Sequence, residues 1–200
     1  MAKKLILIRH GEVAEKYQGR FIGSTDAPLS TDGELQLKKF RPYIKTLKET
    51  KFYYSPLLRA MDSCRLAMEG RFEEAESEDL LREVNFGEWE NLKYTEIQKQ
   101  FPEVYDVWSR EWSLDFAYPN GESHRELVER VTVFGEKARA MDCENVVAFT
   151  HGAVIMFMVS ILLGLDSGNY RLFSMKRGSR TRLDISYKPG VLLELNCLNP

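Results

Sequence analysis

Two short apolar runs stand out along the chain. Leu5-Ile6-Leu7-Ile8 and Val146-Val147-Ala148-Phe149 are unbroken and bounded by polar residues. That is the pattern of strands buried on both faces. They end alike, the first in Arg9-His10-Gly11 and the second in Thr150-His151-Gly152. Elsewhere apolar residues recur at helical spacing, as in Leu37, Phe40, Ile44 and Leu47, and again in Leu127, Val131, Phe134 and Ala138. Ser30 or Thr31 caps the first of these helices, and Pro42 inside it predicts a kink or an early break. Phe52-Tyr53-Tyr54 reads as a strand. Ser55-Pro56 then caps a helix that carries Arg59 in its first turns. Residues 73–79 are acidic and exposed, and Leu80-Leu81 reads as a brief strand. Asn120-Gly121-Glu122-Ser123 starts the helix through Leu127, in which Gly135 should cost up to about 1 kcal/mol relative to alanine. Residues 153–165 read as a buried helix. From residue 180 the period switches to two, and Lys188-Pro189-Gly190 suits a type II turn closing a hairpin at the sheet edge.

Two segments lack a sustained period. Residues 12–30 contain Gly19, Gly23 and Pro28 and read as a long loop, in which Arg20 and Ser24 are candidate phosphate contacts. A solvated arginine and a turn serine fit the same positions. Residues 92–119 hold Tyr94, Phe101, Tyr105, Trp108, Trp112, Phe116 and Tyr118. They read as short helices over the sheet edge, either a cap or an ordinary peripheral layer. Phe86 and Trp89 read as packing residues.

Composition narrows the function. The 200 residues, 44% hydrophobic and 29% charged, suit one large domain with an insertion. The formal net charge of −2 argues against nucleic acid as a partner. An anionic substrate would instead be drawn by a local arginine cluster. Cys64, Cys143 and Cys197 form no close pair and no metal-ligand spacing, which fits reduced thiols in a cytoplasmic protein. The N-terminal apolar run is too short for a signal peptide, and residues 153–165 fall short of the roughly 20 needed to cross a bilayer. No membrane partner is expected.

The candidate chemistry lies at strand ends, where ligands of open α/β sheets bind. His10 and His151 each end a buried strand before a glycine, Gly11 or Gly152. Arg9 and Arg59 share that edge if the strands are parallel, and Glu83 follows the third short strand. Singly, each is as ordinary as any loop residue. Together they suit phosphoryl transfer without a metal. Guanidinium forks match phosphate oxygens, a neutral imidazole is a competent nucleophile, and a carboxylic acid can protonate the leaving oxygen.

Several motifs, in this order, carry a resemblance. They are Leu7-Ile8-Arg9-His10-Gly11-Glu12, Gly19-Arg20-Phe21-Ile22-Gly23, Asp26-Ala27-Pro28-Leu29-Ser30, Ser55-Pro56-Leu57-Leu58-Arg59-Ala60, Leu81-Arg82-Glu83 with Phe86-Gly87-Glu88-Trp89-Glu90, Gly121-Glu122-Ser123 and Thr150-His151-Gly152. On them the chain resembles the histidine phosphatase superfamily, also called phosphoglycerate-mutase-like. The resemblance implies one three-layer α/β/α domain over residues 1–200, with a mostly parallel sheet and a cap at residues 84–119. It implies His10 as nucleophile, with Arg9, Arg59 and His151 on the phosphoryl oxygens. Glu83 would be the proton donor, with Glu88 and Glu90 as weaker alternatives. Gly11, Arg20, Ser24 and Gly152 are further substrate-binding candidates. No metal or organic cofactor is implied. The partner would be a small-molecule phosphate ester, and the protein a monomer or homodimer.

The chain departs from the family pattern in two places. The asparagine common in the loop after Arg-His-Gly falls near Lys16 and Tyr17, leaving Gln18 or Arg20 to replace it. The usual glycine after Trp-Glu is Asn91. Loop 19–30 and the short cap are most similar to α-ribazole phosphatases, with Tyr94, Trp108 and Trp112 available to a planar base or a sugar. The alternatives are mutase-type phosphoryl transfer, a broad-specificity sugar or nucleotide phosphatase, and a non-catalytic phospho-ligand binder.

Overall fold

The computed structural model describes residues 3–110 and 112–199. Strand β1 (Lys4–Arg9) forms where the first apolar run lies, and Leu5 to Ile8 are wholly buried. Strand alternation sends its side chains to two layers. Ile6 and Ile8 pack with Leu37, Phe40, Ile44, Phe52 and Cys64. Leu5 and Leu7 join a larger cluster with Leu127, Val131, Phe134 and Met158. The other strands are β2 (Thr50–Tyr54), β3 (Ala75–Ser77), β4 (Asn145–Thr150), β5 (Arg180–Asp184) and β6 (Val191–Cys197). Their order in the sheet is β3-β2-β4-β1-β5-β6. The first four are mutually parallel, and β5 and β6 add an antiparallel hairpin at one edge.

Helices α1 (Thr31–Lys38), α2 (Arg41–Thr46) and α3 (Leu58–Ala67) cover one face, and α6 (His124–Ala140) and α7 (Gly152–Leu162) the other. The result is the three-layer α/β/α sandwich that the motifs implied. The short helices α4 (Tyr94–Gln100) and α5 (Pro102–Arg110) belong to the insertion between β3 and α6. Among the described residues, no helix is long and apolar enough to cross a membrane.

Local chemistry explains most element ends. Ser30 caps α1 by accepting from the Gly33 N–H at 3.0 Å, and Ser123 and Glu126 form a reciprocal capping box on α6. Pro42 breaks rather than kinks its helix: α1 stops at Lys38, and α2 starts afresh with the proline in its first turn. Gly135 is buried where α6 crosses α7, and a Cβ there would lie 3.2 Å from Leu162 Cδ2. Its lower helix propensity is thereby offset by close helix contact.

Four local expectations need correction. Ser55 does not cap α3. Its N–H continues the strand pairing to Phe149 O, so the helix starts three residues on, with Leu57 in the cap position. Leu80-Leu81 lies in a 3₁₀ turn, Asp79–Leu81, not a strand. The third parallel strand is instead Ala75–Ser77, within the segment read only as acidic and exposed. The hairpin turn is not type II, since Gly190 lacks the positive φ that type requires. Gly190 N donates to Leu162 O at 2.7 Å, pinning the turn to the end of α7.

One close approach fixes the start of the loop after β1. A Cβ on Gly33 would lie 2.1 Å from Glu12 O, and one on Gly11 would lie 2.4 Å from Gly33 O. Helix α1 thus presses its first turn against the backbone beside His10. We expect Gly33→Ala to destabilise the fold by about 1–3 kcal/mol, as overpacking does. A thermal melt checks this, and an unchanged Tm would mean that the loop yields freely.

Candidate active site

The parallel register of β1 and β4 sets the geometry. Arg9 lies opposite Thr150, and the His10 N–H donates to Thr150 O at 3.0 Å. His10 and His151 therefore leave the sheet at the same level. Their ring centroids are 5.3 Å apart, and both rings are almost wholly buried. His10 Nδ1 lies 2.7 Å from Gly11 O, a contact that puts the proton on Nδ1 and the lone pair on Nε2. His151 Nε2 lies 2.8 Å from the Ser55 hydroxyl. That hydroxyl already accepts from the Leu57 N–H, so its own proton is available to His151. This arrangement leaves His151 Nδ1, which has no partner among the described residues, as an N–H donor.

Burial holds both imidazoles well below the usual histidine range, helped by the Arg59 and Arg9 charges. Both are neutral at pH 7. Burial pushes Glu83 the other way, above the usual carboxylate range, against the pull of Arg59 and Arg9. Its oxygens accept from the Val84 and Ala153 N–H groups at 3.1 and 3.4 Å. The loop that carries it is tied down twice. Thr150 Oγ1 donates to Leu81 O at 2.7 Å, and Arg130 donates to the carbonyls of Leu80 and Arg82 while paired to Glu122.

Arg59 is 1% exposed. It donates to the carbonyls of Ile22, Gly23 and Thr25 at 2.8–3.0 Å. That loop is itself wrapped on Glu90, whose carboxylate accepts from the N–H groups of Gly23, Ser24, Thr25 and Phe86 and from the Thr25 hydroxyl. Glu90 therefore organises the loop rather than serving as an acid. Arg9 donates to Met175 O and lies beneath Gly152, where a Cβ would come within 3.0 Å of the guanidinium carbon. Burial lowers Arg9 to about 10, still cationic at neutral pH. The N-terminus of α7 opens into the same space and favours an anion there.

Arg9, His10, Arg59, Glu83 and Gly152 line one cavity of about 400 Å³, whereas His151, wholly buried beside His10, does not itself line it. Phe21, Phe86, Tyr94, Trp108, Tyr118 and Met156 supply its apolar wall. Fully buried Trp89 backs that wall through edge-to-face contacts with Phe21, Trp108 and Tyr118 at 5.3–5.8 Å. Each such pair adds about 0.5–1.5 kcal/mol beyond its buried area. Asn91 takes a left-handed φ of 61°. Asparagine tolerates that conformation, so the turn after Glu90 survives without glycine.

Other candidates fall elsewhere. Ser24 is exposed and does not line this cavity; it borders a second cleft, beside Asp79 and Arg130, that shares Glu83 with the first. Gly11 directs its N–H to Ser63 Oγ at 3.1 Å and does not line the cavity. Arg20 reaches the cavity wall, but its guanidinium is held by Lys16 O, Asn91 O and Glu96. Gln18 donates to Val13 O. Trp112 stacks on His124 at 4.5 Å and packs against Phe157 and Tyr170, so it is a packing residue and not part of the wall. The sequence reading missed Arg177, which lines the cavity. Its only signal was a basic pair, Lys176-Arg177, before a glycine at the start of the hairpin.

Comparisons with known proteins find relatives over nearly the whole chain. The family model described as the histidine phosphatase superfamily (branch 1) matches residues 5–198. The adenosylcobalamin/alpha-ribazole phosphatase of Salmonella typhimurium is 28% identical over 195 residues, covering 96% of each chain. Phosphoserine phosphatase 1 of Hydrogenobacter thermophilus is 28% identical over 194 residues, covering 96% of this chain and 92% of its own. The crystal structure of the alpha-ribazole phosphatase from Shigella flexneri superposes with a TM-score of 0.88 at 25% identity, over 98% of this chain and 97% of that one.

Burial of neutral imidazoles links this site to stability. Unfolded histidines take up protons near pH ~6.5, while the folded site resists them. Their contribution is complete above that pH and is lost as pH falls. Glu83 acts in the opposite sense, its contribution being full below about pH 4.5 and fading as pH rises through its raised folded value. Two imidazoles should outweigh one carboxyl. We expect Tm to fall between about pH 7 and about pH 5, and to fall less in the double variant His10→Asn/His151→Asn. Equal falls would place the responsible groups elsewhere.

Proposed function

The chain belongs to the histidine phosphatase superfamily, and we propose that it hydrolyses phosphomonoesters through a phosphohistidine on His10. The observation that carries this reading is the pair of neutral imidazoles 5.3 Å apart, close to the buried guanidinium groups of Arg9 and Arg59 and to a carboxyl, Glu83, whose affinity for its proton burial raises. His10 Nε2 attacks phosphorus as the ester P–O bond breaks, and the leaving oxygen takes its proton from Glu83. Arg9, Arg59 and His151 Nδ1–H hold the equatorial oxygens, where charge spreads in the transition state. Water then attacks the phosphohistidine, gives its proton to Glu83 and releases phosphate and His10. The charge on the phosphoryl group is met by side chains of this protein at each step.

Residues 84–119 form the cap that receives the leaving group. Its wall of Phe86, Tyr94, Trp108 and Tyr118 suits a planar, weakly polar group. Besides Arg9, Arg59 and Arg177, the cation lining the cavity is Arg20, already paired with Glu96. A second phosphate or a carboxylate would therefore find little to bind there, which favours a phosphatase over a phosphoglycerate mutase. Among substrates, α-ribazole 5'-phosphate, an aromatic base on a ribose phosphate, fits best and agrees with two of the relatives above.

Radiolabelled substrate should leave an acid-labile phosphoenzyme that His10→Ala abolishes; an unlabelled wild type would remove the covalent step. Glu83→Gln should lower kcat/KM for alkyl phosphates by about 10²–10⁴ and much less for nitrophenyl phosphate, whose leaving group needs no proton. Equal losses would assign the proton to another group. α-Ribazole phosphate should be turned over with a higher kcat/KM than simple alkyl phosphates or phosphoserine, and no preference would point to a broad-specificity enzyme.

A further inference from the structure

Arg177 has no part in the chemistry above, yet its backbone is stitched to both sides of the nucleophile. Gly178 N donates to His10 O at 2.9 Å, and Arg9 N donates to Ser179 O at 3.0 Å. Lys176 N donates to Asn196 Oδ1 at 2.7 Å, and Ser179 Oγ donates to Lys176 O at 2.6 Å. The segment that presents Arg177 is therefore fixed by hydrogen bonds on either side of that residue. Its side chain lines the same cavity as Arg9, His10 and Arg59 and is only partly exposed.

The arginines of the cavity differ in what they already hold. Arg9, Arg20 and Arg59 each donate to backbone carbonyls. Arg177 makes no hydrogen bond or ion pair among the described residues, although Glu12 is near enough to offset part of the burial that lowers it. Its charge in turn depresses Arg9, His10 and Arg59. A partly desolvated guanidinium beside like charges, with no carboxylate in contact, is unfavourable by itself. An anion placed among those charges reverses the sign.

We infer that Arg177 is a third guanidinium on the substrate's phosphoryl group, presented from the loop before β5 into the cavity that Arg9 and Arg59 line. The assignment rests on the phosphatase reading.

The test compares Arg177→Met and Arg177→Lys with the wild type. Turnover of nitrophenyl phosphate, which carries no second anionic group, reports the phosphoryl end alone. Inhibition by vanadate reports oxyanion binding without a leaving group. We expect Arg177→Met to lower kcat/KM by about 10- to 100-fold and to weaken vanadate by a similar factor, with Arg177→Lys recovering part of each. Wild-type kcat/KM and vanadate inhibition in Arg177→Met would overturn the inference. So would a loss confined to substrates with a second anionic group, such as phosphoserine. Both outcomes leave the His10 phosphoenzyme of the wild type intact. A wild type that forms no such phosphoenzyme overturns the phosphatase reading instead, and this inference with it.

Discussion

Strands β1 and β4 pair in parallel without a slip, from Lys4 opposite Asn145 to Arg9 opposite Thr150. The next residue of each chain is a histidine. A slip of one residue would invert the side-chain faces of one strand and carry its histidine out of line with the other. Register is strongly specified here because both faces are covered. Ile6 and Ile8 are committed to one layer, and Leu5 and Leu7 to the other. The apolar core on either side of the sheet is thus what sets the distance between two catalytic-type rings.

Around that pair the protein assembles charges that would repel one another if left alone. Its solution is to spend backbone groups on them. Carbonyls at Ile22, Gly23 and Thr25 face Arg59, and amides at Val84 and Ala153 face Glu83. The loop of carbonyls keeps its shape because Glu90 gathers its N–H groups from the other side. One carboxylate thus orients, through the backbone, a guanidinium it does not touch. Such fixed dipoles need no rearrangement when charge moves, the condition for electrostatic stabilisation of a transition state.

Much of this was legible in the sequence, for a physical reason. Buried parallel strands must be continuous apolar runs, so Leu5-Ile6-Leu7-Ile8 and Val146-Val147-Ala148-Phe149 announced the sheet centre and the residues at its edge. Short or exposed pieces lack that constraint. Ala75–Ser77 is an edge strand of three residues, its side chains largely exposed, and its acidic composition carries no strand period. Ser55 has the chemistry of a helix cap but is taken by the strand pairing and by His151. Trp108 and Trp112 look equivalent in the sequence, yet only Trp108 lines the cavity, because His124 and Phe157 occupy the other indole. Ser24 and Arg177 show the same limit from opposite sides. Whether a polar loop residue faces a cavity depends on contacts far along the chain, and local pattern does not encode them.

Helix α5 has no fully buried residue. His10 and the arginines around it, by contrast, stand on the sheet edge, the loops beside it and α3, outside the insertion that carries α5. Selection can therefore rewrite one without disturbing the other. Changes along 102–110 other than at Trp108, which packs on Trp89, would alter which molecules are admitted at small cost to folding, while the phosphate-handling half stays as it is. The insertion is the part of this architecture through which one ancestral chemistry could diversify into many metabolic assignments.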